Sequence, residues 1–121
     1  MQVLIVDDSR AMRMILKKMM GELGHKDIDE AEHGQAALDH LEEKMPDVAL
    51  VDWNMPVMGG EEFISTIRGR RDCDQIKVLV VTSESNPRVV YQALKAGADE
   101  YAMKPLTTEV IGDKLGMLGL A

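Results

Sequence analysis

The sequence predicts an α/β domain in which a parallel β-sheet lies between two layers of helices. Apolar runs at positions 3–6, 48–51 and 78–81 are too short for helices. Continuous apolar runs of this length are typical of strands that are covered on both faces, as in a parallel sheet. The segments between them carry apolar residues at helical spacing, and this alternation indicates a parallel sheet with right-handed connections.

The first half of the chain contains two predicted strands and two predicted helices. After the first strand, apolar residues share one helical stripe from about position 9 to 23, and Gly24 ends this helix. A weaker strand is expected near 27–31. A second helix is expected from about 35 to 43.

The second half continues the same alternation. A third helix follows the glycines at 59–60. Asn86 is predicted to be the N-cap of a fourth helix, with Pro87 as its first residue and an end near position 96. A short strand near 100–103 completes the predicted set of strands.

The last predicted helix has an unusual composition. Thr107 or Thr108 is expected to cap it, and Gly112, Gly116 and Gly119 are expected to lie within it. Each interior glycine costs about 1 kcal/mol relative to alanine. We therefore expect a helix that is frayed or is held mainly by packing.

Acidic, hydroxyl and basic side chains end four of the predicted strands. In chain order they are Asp7, Asp8, Asp52, Thr82 and Lys104. Parallel strands place their carboxyl ends at one edge of the sheet, where open α/β sheets bind ligands. Three carboxylates brought together would repel one another, and a hard cation such as Mg²⁺, or Mn²⁺ in its place, removes this conflict. The sequence therefore predicts a metal site, with Lys104 and Thr82 able to bind a small dianion beside Asp52.

A carboxylate in this setting can attack phosphorus and become an aspartyl phosphate. The cation, the ammonium group and the hydroxyl group would stabilise the charge of the transferring group. Each motif alone has a commoner structural explanation, as a helix-capping acid, a turn residue, a capping hydroxyl or a solvated lysine. Their joint occurrence at four strand ends favours the functional interpretation.

Several other functions are disfavoured by composition. The net charge of −7 argues against a nucleic-acid-binding surface. No apolar stretch approaches the length of a membrane span, so no membrane insertion is expected. The single cysteine, Cys73, excludes an internal disulfide and suits the cytoplasm. His25, His33 and His40 lack metal-ligand spacing and are expected on the surface.

With these motifs assembled, the chain resembles the receiver domain of two-component response regulators over essentially its full length. The resemblance rests on Asp7-Asp8, Asp52 with Met55-Pro56 and Gly59-Gly60, Thr82-Ser83, Lys-Ala-Gly-Ala-Asp at 95–99, and Tyr101 with Lys104-Pro105. It implies a flavodoxin-like, three-layer α/β/α fold with strand order 2-1-3-4-5. It also implies that residues 1–121 form a single receiver domain with no output domain.

The resemblance assigns the acidic residues their roles. Asp52 would accept a phosphoryl group from a phosphohistidine on a partner kinase. Asp8, Asp52 and the backbone carbonyl of Asn54 would hold Mg²⁺, and Asp7 would reach the ion through water.

The resemblance also implies a switch. Lys104 would pair with the phosphoryl group, and Thr82 would form a hydrogen bond to it and shift. Tyr101 would then change rotamer. The bond from Lys104 to Pro105 is expected to be cis, and the surface of the fourth helix, fifth strand and fifth helix is expected to signal.

Asn54 and Glu84 occupy the positions that tune dephosphorylation in this family. Together with Trp53 they resemble chemotaxis regulators. Polar side chains here should let water reach the aspartyl phosphate, so we predict a short-lived phosphoryl state. The structural alternative is that both are solvated loop residues.

The expected partners follow from the resemblance. They are a sensor histidine kinase or phosphotransfer protein, a downstream target protein such as a flagellar motor switch, and a phosphatase. A chemotaxis regulator, a phosphorelay carrier and a receiver cut from a larger protein all remain open. None of these would be an enzyme beyond self-catalysed phosphotransfer and autodephosphorylation.

Two other classes compete with a signalling switch. A small Mg²⁺ phosphatase that forms an aspartyl phosphate usually has a second acid two residues after its nucleophile, where this chain has Asn54. A degenerate receiver used only for docking would have lost acids, Thr82 or Lys104, and all are present.

Overall fold

The structure, a computed structural model, describes residues 1–84 and 86–120. Its strands are β1 (Gln2–Val6), β2 (Asp27–Ala31), β3 (Val48–Asp52), β4 (Lys77–Thr82) and β5 (Glu100–Met103). Neighbouring strands are parallel throughout, in the order β2-β1-β3-β4-β5. The parallel sheet predicted from the apolar runs and the order implied by the resemblance are both confirmed.

Helices cover both faces of this sheet, as predicted. They are α1 (Arg10–Glu22), α2 (Gly34–Leu41), α3 (Gly60–Arg68), α4 (Pro87–Ala96) and α5 (Thr108–Met117), with a short 3₁₀ helix at Arg71–Cys73 that the sequence pattern does not predict. Buried residues of α2, α3 and α4 pack on one face, and those of α1 and α5 pack on the other. Within the described ranges, none of these helices has the length and apolar character needed to cross a bilayer.

The continuous apolar runs are explained by these two layers. In β1, Leu4 and Val6 belong to the core under α2, α3 and α4, whereas Val3 and Ile5 belong to the core under α1 and α5. All four side chains are completely buried. Alternate residues of a strand point to opposite faces, so a strand that is covered twice needs apolar residues at every position.

Side chains cap the helices largely where expected. Ser9, Asn86 and Thr107 each accept a hydrogen bond from a backbone N–H group in the first turn of α1, α4 and α5. The predicted cap at Asn86 is confirmed, and Thr107 rather than Thr108 caps α5. These bonds satisfy N–H groups that have no partner within the helix.

The three histidines lie at the surface, as expected, although none is fully exposed. All three are partly buried. Nδ1 of His33 accepts a hydrogen bond from the N–H group of Ala36 at 3.1 Å and so caps α2. An imidazole can replace the usual hydroxyl or carboxylate cap here because its unprotonated nitrogen is an acceptor.

Packing holds the glycine-rich α5. Ile111 and Leu115 are buried against the sheet. A Cβ atom on Gly112 would lie 3.1 Å from Cδ2 of Leu23, so glycine allows the end of α1 to approach closely. Gly119, predicted to lie within this helix, instead lies beyond its end at φ +76° and turns the chain back. Leu120 N–H donates to the carbonyl of Leu115 at 2.8 Å.

Arg68, at the end of α3, stabilises the amino-terminal end of the sheet. Asp7, Asp52, Thr82 and Lys104 lie at the opposite, carboxyl-terminal end. Its guanidinium donates to the carbonyl oxygens of Ile76, Gly97 and Cys73 at 2.7, 2.9 and 3.1 Å. It also lies 2.9 Å from the carboxylate of Asp99. These bonds fix the starts of β4 and β5 relative to α3.

Candidate functional site

The three predicted acids meet at the carboxyl edge of the sheet. Val6 pairs with Val51, so Asp7 and Asp52, the next residues along β1 and β3, come side by side. One carboxylate oxygen from each of Asp7, Asp8 and Asp52 lies within 4.8 Å of the others. Asp7 and Asp52 are 1% and 8% exposed, whereas Asp8 is exposed. The acidic cluster is therefore open to solvent through Asp8.

The turn from β1 to α1 is held by contacts to Asp7. Its N–H group donates to the carbonyl of Ala31 at 3.1 Å, which extends the β1–β2 ladder by one bond. Oδ1 of Asp7 accepts from the N–H group of Ser9 at 2.9 Å. The Asp7 carbonyl accepts from Nη1 of Arg13 at 2.7 Å. This turn fixes where both acids lie.

The chain after β3 folds back against Asp52 because α3 begins with Gly60. A Cβ atom on Gly60 would lie 2.6 Å from the Asp52 carbonyl and 3.0 Å from Cα of Trp53. The Gly60 N–H group donates to the Trp53 carbonyl at 3.0 Å. Only glycine allows the start of α3 to approach the acidic strand end so closely, and the partly buried Trp53 packs beside it.

Lys104 provides the positive charge of the site. Its Nζ atom lies 3.3 Å from Oδ2 of Asp7 and 3.6 Å from Oδ1 of Asp52. The Lys104 N–H group donates to the carbonyl of Thr82 at 2.8 Å, which ties β5 to the end of β4. The peptide bond from Lys104 to Pro105 is cis, as expected.

The electrostatics of the cluster favour a cation. Burial raises the pKa of the Asp52 carboxyl above its ordinary value, the Asp7 carboxylate raises it further, and the Lys104 ammonium opposes both effects. The Lys104 ammonium thus lies against two of the three carboxylates. Their oxygen donors fit Mg²⁺, which binds carboxylates and retains several waters.

The predicted hydroxyl and tuning residues lie at the rim of the cluster. Thr82 is only 1% exposed, and its Oγ1 accepts a hydrogen bond from the Glu84 N–H group at 3.0 Å. Nδ2 of Asn54 donates to Oε1 of Glu84 at 3.4 Å, so a long hydrogen bond joins these two residues. The structure therefore brings Asn54, Thr82 and Glu84 together beside the acids.

Tyr101 lies away from the acidic cluster, near the start of the edge strand β5. It pairs with Val80 in the β4–β5 ladder, and its partly buried ring packs against the core under α2, α3 and α4. Nζ of Lys114 on α5 lies 5.7 Å from the centre of the ring. Tyr101 thus contacts the proposed signalling face rather than the acids.

Sequence reasoning does not reveal the part played by Arg13. Its acceptor at Asp7 is a backbone carbonyl, and its carboxylate partner, Glu30, belongs to β2. Neither the acceptor nor the strand pairing leaves a local sequence pattern, so no signal points to it.

Comparison with known proteins identifies the family. The model of the response regulator receiver domain family matches residues 3–115. The chain belongs to this family. The resemblance drawn from the strand-end motifs is therefore confirmed, and the chain is a receiver domain of a two-component response regulator. Receiver domains are signalling switches rather than conventional enzymes, which counts against a small phosphatase.

Several relatives are chemotaxis proteins. The chain is 41% identical over 116 residues to a chemotaxis protein CheY homolog of Campylobacter jejuni, covering 95% of this chain and 89% of that protein. It is 39% identical to the chemotaxis protein CheY1 of Helicobacter pylori, covering 95% and 94% of the two chains. The solved structure of the chemotaxis protein CheY4 of Vibrio cholerae superposes with a TM-score of 0.88 at 29% identity, covering 96% of each chain.

Proposed function

We propose that this receiver domain is a phosphorylation-activated switch in which Asp52 accepts a phosphoryl group in the presence of Mg²⁺. One observation carries the proposal. The carboxylates of Asp7, Asp8 and Asp52 converge within 4.8 Å, and Lys104 lies against two of them. A cluster with this charge distribution suits a divalent cation and a phosphoryl group together.

Asp52 would act as the nucleophile. A carboxylate oxygen of Asp52 attacks the phosphorus of a phosphohistidine, a P–O bond forms, and the P–N bond breaks with its electron pair returning to the imidazole. Asp8, Asp52 and the carbonyl of Asn54 would hold Mg²⁺, or Mn²⁺, with Asp7 in contact through water. When bound, the cation would offset the negative charge of the phosphoryl oxygens.

Lys104 and Thr82 would bind the new phosphoryl group. The Lys104 ammonium, which now contacts Asp7 and Asp52, would move to a phosphoryl oxygen. The buried Thr82 hydroxyl accepts a bond from Glu84 N–H, which leaves its own proton to donate to the phosphoryl group. The end of β4 would shift, and Tyr101 on the neighbouring strand would follow.

The two residues at the rim of the cluster, Asn54 and Glu84, would set the rate at which the aspartyl phosphate is hydrolysed. Asn54 and Glu84 are polar, exposed and joined by a hydrogen bond. They would leave a path for water to the aspartyl phosphate, and this supports a short-lived signal.

The proposed partners are a histidine kinase or phosphotransfer protein as donor, a downstream target, and a phosphatase. Docking of the target is assigned to the face formed by α4, β5 and α5, where Leu94 and Val110 are 48% and 39% exposed. The chemotaxis relatives favour a motility pathway in the cytoplasm, with a flagellar motor switch as the candidate target. A phosphorelay carrier is the alternative, which a long-lived aspartyl phosphate would favour.

Incubation with acetyl phosphate and Mg²⁺ tests the proposal. Mass spectrometry should show one added phosphoryl group on the wild-type protein and on Asp74→Asn, which changes an exposed aspartate elsewhere. Asp52→Asn should show none. Labelling that persists in Asp52→Asn, or that occurs equally without a divalent cation, would overturn the assignment.

A further inference from the structure

Arg13 connects the acidic turn to the edge strand of the sheet. Its Nη1 donates to the Asp7 carbonyl at 2.7 Å, and its Nε donates to Oε1 of Glu30 at 3.0 Å. The side chain is 14% exposed although it carries a full charge. A planar guanidinium that binds two acceptors in different directions is held in one orientation.

Glu30 is itself well placed to orient this arginine. It lies on β2 opposite Ile5 of β1. The next residue on β2, Ala31, accepts the N–H group of Asp7. The Asp7 backbone is therefore bound to β2 through its N–H group directly and through its carbonyl by way of Arg13 and Glu30.

The Asp7 carbonyl matters because its peptide plane leads to Asp8. The peptide unit is planar, so fixing the carbonyl of Asp7 also fixes the N–H group and Cα of the next residue. Asp7 is buried, but Asp8 is exposed and so is placed mainly by its backbone. A rotation of this peptide would carry the Asp8 carboxylate away from the other two acids.

We propose that Arg13, oriented by Glu30, is a positioning residue that holds the turn at Asp7 and Asp8 in the conformation that binds the cation. The inference rests on the proposed function for the identity of that cation. Groups that orient metal-binding residues commonly change metal affinity by about 10-fold to 100-fold when they are removed.

Electrostatics alone predicts the opposite change in Mg²⁺ affinity when Arg13 is replaced. Arg13 is a cation close to an acidic site, so its direct Coulomb effect is to repel a divalent ion. Removing the charge without any loss of geometry would therefore strengthen Mg²⁺ binding. Loss of a positioning contact would weaken it, and the sign of the change separates the two roles.

The test is a Mg²⁺ titration of the full chain, followed by the fluorescence of Trp53. Arg13→Met, which retains an apolar stem, should bind Mg²⁺ about 10-fold more weakly than the wild type. The matched control is Lys17→Met. Lys17 also approaches Glu30, at 3.7 Å, and is 52% exposed. Its removal should leave the affinity unchanged or slightly higher.

A second readout needs no metal. The N–H groups of Asp7 and Ser9 donate to the Ala31 carbonyl and to Oδ1 of Asp7. Amide hydrogen exchange of Asp7 and Ser9 in the metal-free protein should be faster in Arg13→Met and unchanged in Lys17→Met. If Arg13→Met does not fold, Glu30→Ala, which frees the guanidinium, should give the same faster exchange. Equal or tighter Mg²⁺ binding by Arg13→Met, or unchanged exchange, overturns the inference. A wild-type protein that fails to bind Mg²⁺ contradicts the proposed function instead, and the exchange experiment still tests Arg13.

Discussion

Nζ of Lys104 lies 3.3 Å from Oδ2 of Asp7, which joins residues 97 positions apart in the chain. The same atom is 3.6 Å from Oδ1 of Asp52. Lys104 thus supplies a positive charge that partly balances the acidic cluster. It stands where a bound divalent cation would compete with it for the carboxylates.

Replacing Lys104 with methionine should therefore separate metal binding from signalling. Lys104→Met should bind Mg²⁺ at least about fivefold more tightly, since removing a neighbouring charge in a partly solvated site is worth about 1 kcal/mol or more. Tyr101 should no longer respond to phosphorylation. Trp53 fluorescence measures the first effect, and NMR of the Tyr101 ring measures the second. Lys18→Met, a change at an exposed lysine, is the control. A normal Tyr101 response in Lys104→Met would contradict this role.

The Asp52 carboxylate should destabilise the folded protein when no metal is bound. Its pKa is raised in the folded protein, first by burial and then by Asp7. The unfolded chain therefore releases this proton at a lower pH, and stability falls as pH rises from the ordinary aspartate pKa through the folded value. At pH values above the ordinary aspartate pKa this penalty applies, and Asp52→Asn removes it.

We expect Asp52→Asn to raise the Tm by a few degrees at pH 7 without metal, since each kcal/mol shifts the Tm of a domain this size by about 4 °C. Below the ordinary aspartate pKa the difference should vanish. Added Mg²⁺ should stabilise the wild type more than the variant. Thermal unfolding followed by circular dichroism gives all three results, and a variant less stable than the wild type at pH 7 would refute the reasoning.

The sheet and the acidic edge could be predicted because their causes are local. A strand buried on both faces must be apolar at every position, which is what residues 3–6 show. Polar residues directly after such runs then reach one edge of the sheet without further assumption. Strand order is not local, and it came from the resemblance to receiver domains.

The remaining features depend on partners that are distant in sequence. Arg13 and Arg68 donate to backbone carbonyls of other elements, and every residue has a carbonyl, so no residue type marks the acceptor. His33 caps α2 through a ring nitrogen, whereas most N-cap residues are serine, threonine, aspartate or asparagine. The glycines of α5 suggest an unstable helix when only the sequence is known, whereas in the structure Gly112 allows Leu23 to pack closely against α5.

Two glycines should respond to alanine in opposite directions. A Cβ atom on Gly60 would collide with the backbone of Asp52 and Trp53, and backbone cannot rotate away. Gly60→Ala should lower the free energy of unfolding by about 1–3 kcal/mol and weaken Mg²⁺ binding. Nothing lies within 4 Å of a Cβ atom on Gly116, which is inside α5. Gly116→Ala should raise the free energy of unfolding by about 1 kcal/mol without affecting Mg²⁺ binding. Chemical denaturation and the Trp53 titration test both variants, and equal tolerance at the two positions would contradict the close approach at Gly60.

The hydrogen bond between Asn54 and Glu84 should make their effects on phosphoryl lifetime interdependent. Glu84→Leu should slow hydrolysis about fivefold, equivalent to about 1 kcal/mol, because it removes a polar partner for water and releases the Asn54 amide. Asn54→Leu should act similarly, and the double variant should fall short of the product of the two effects, since the groups are in contact. The decay of phosphorylated mass after removal of acetyl phosphate measures each lifetime, with Glu43→Leu as a control at an exposed glutamate in another loop. Multiplicative effects would mean that the two side chains act on water separately, and faster decay in either single variant would mean that they shield the aspartyl phosphate instead.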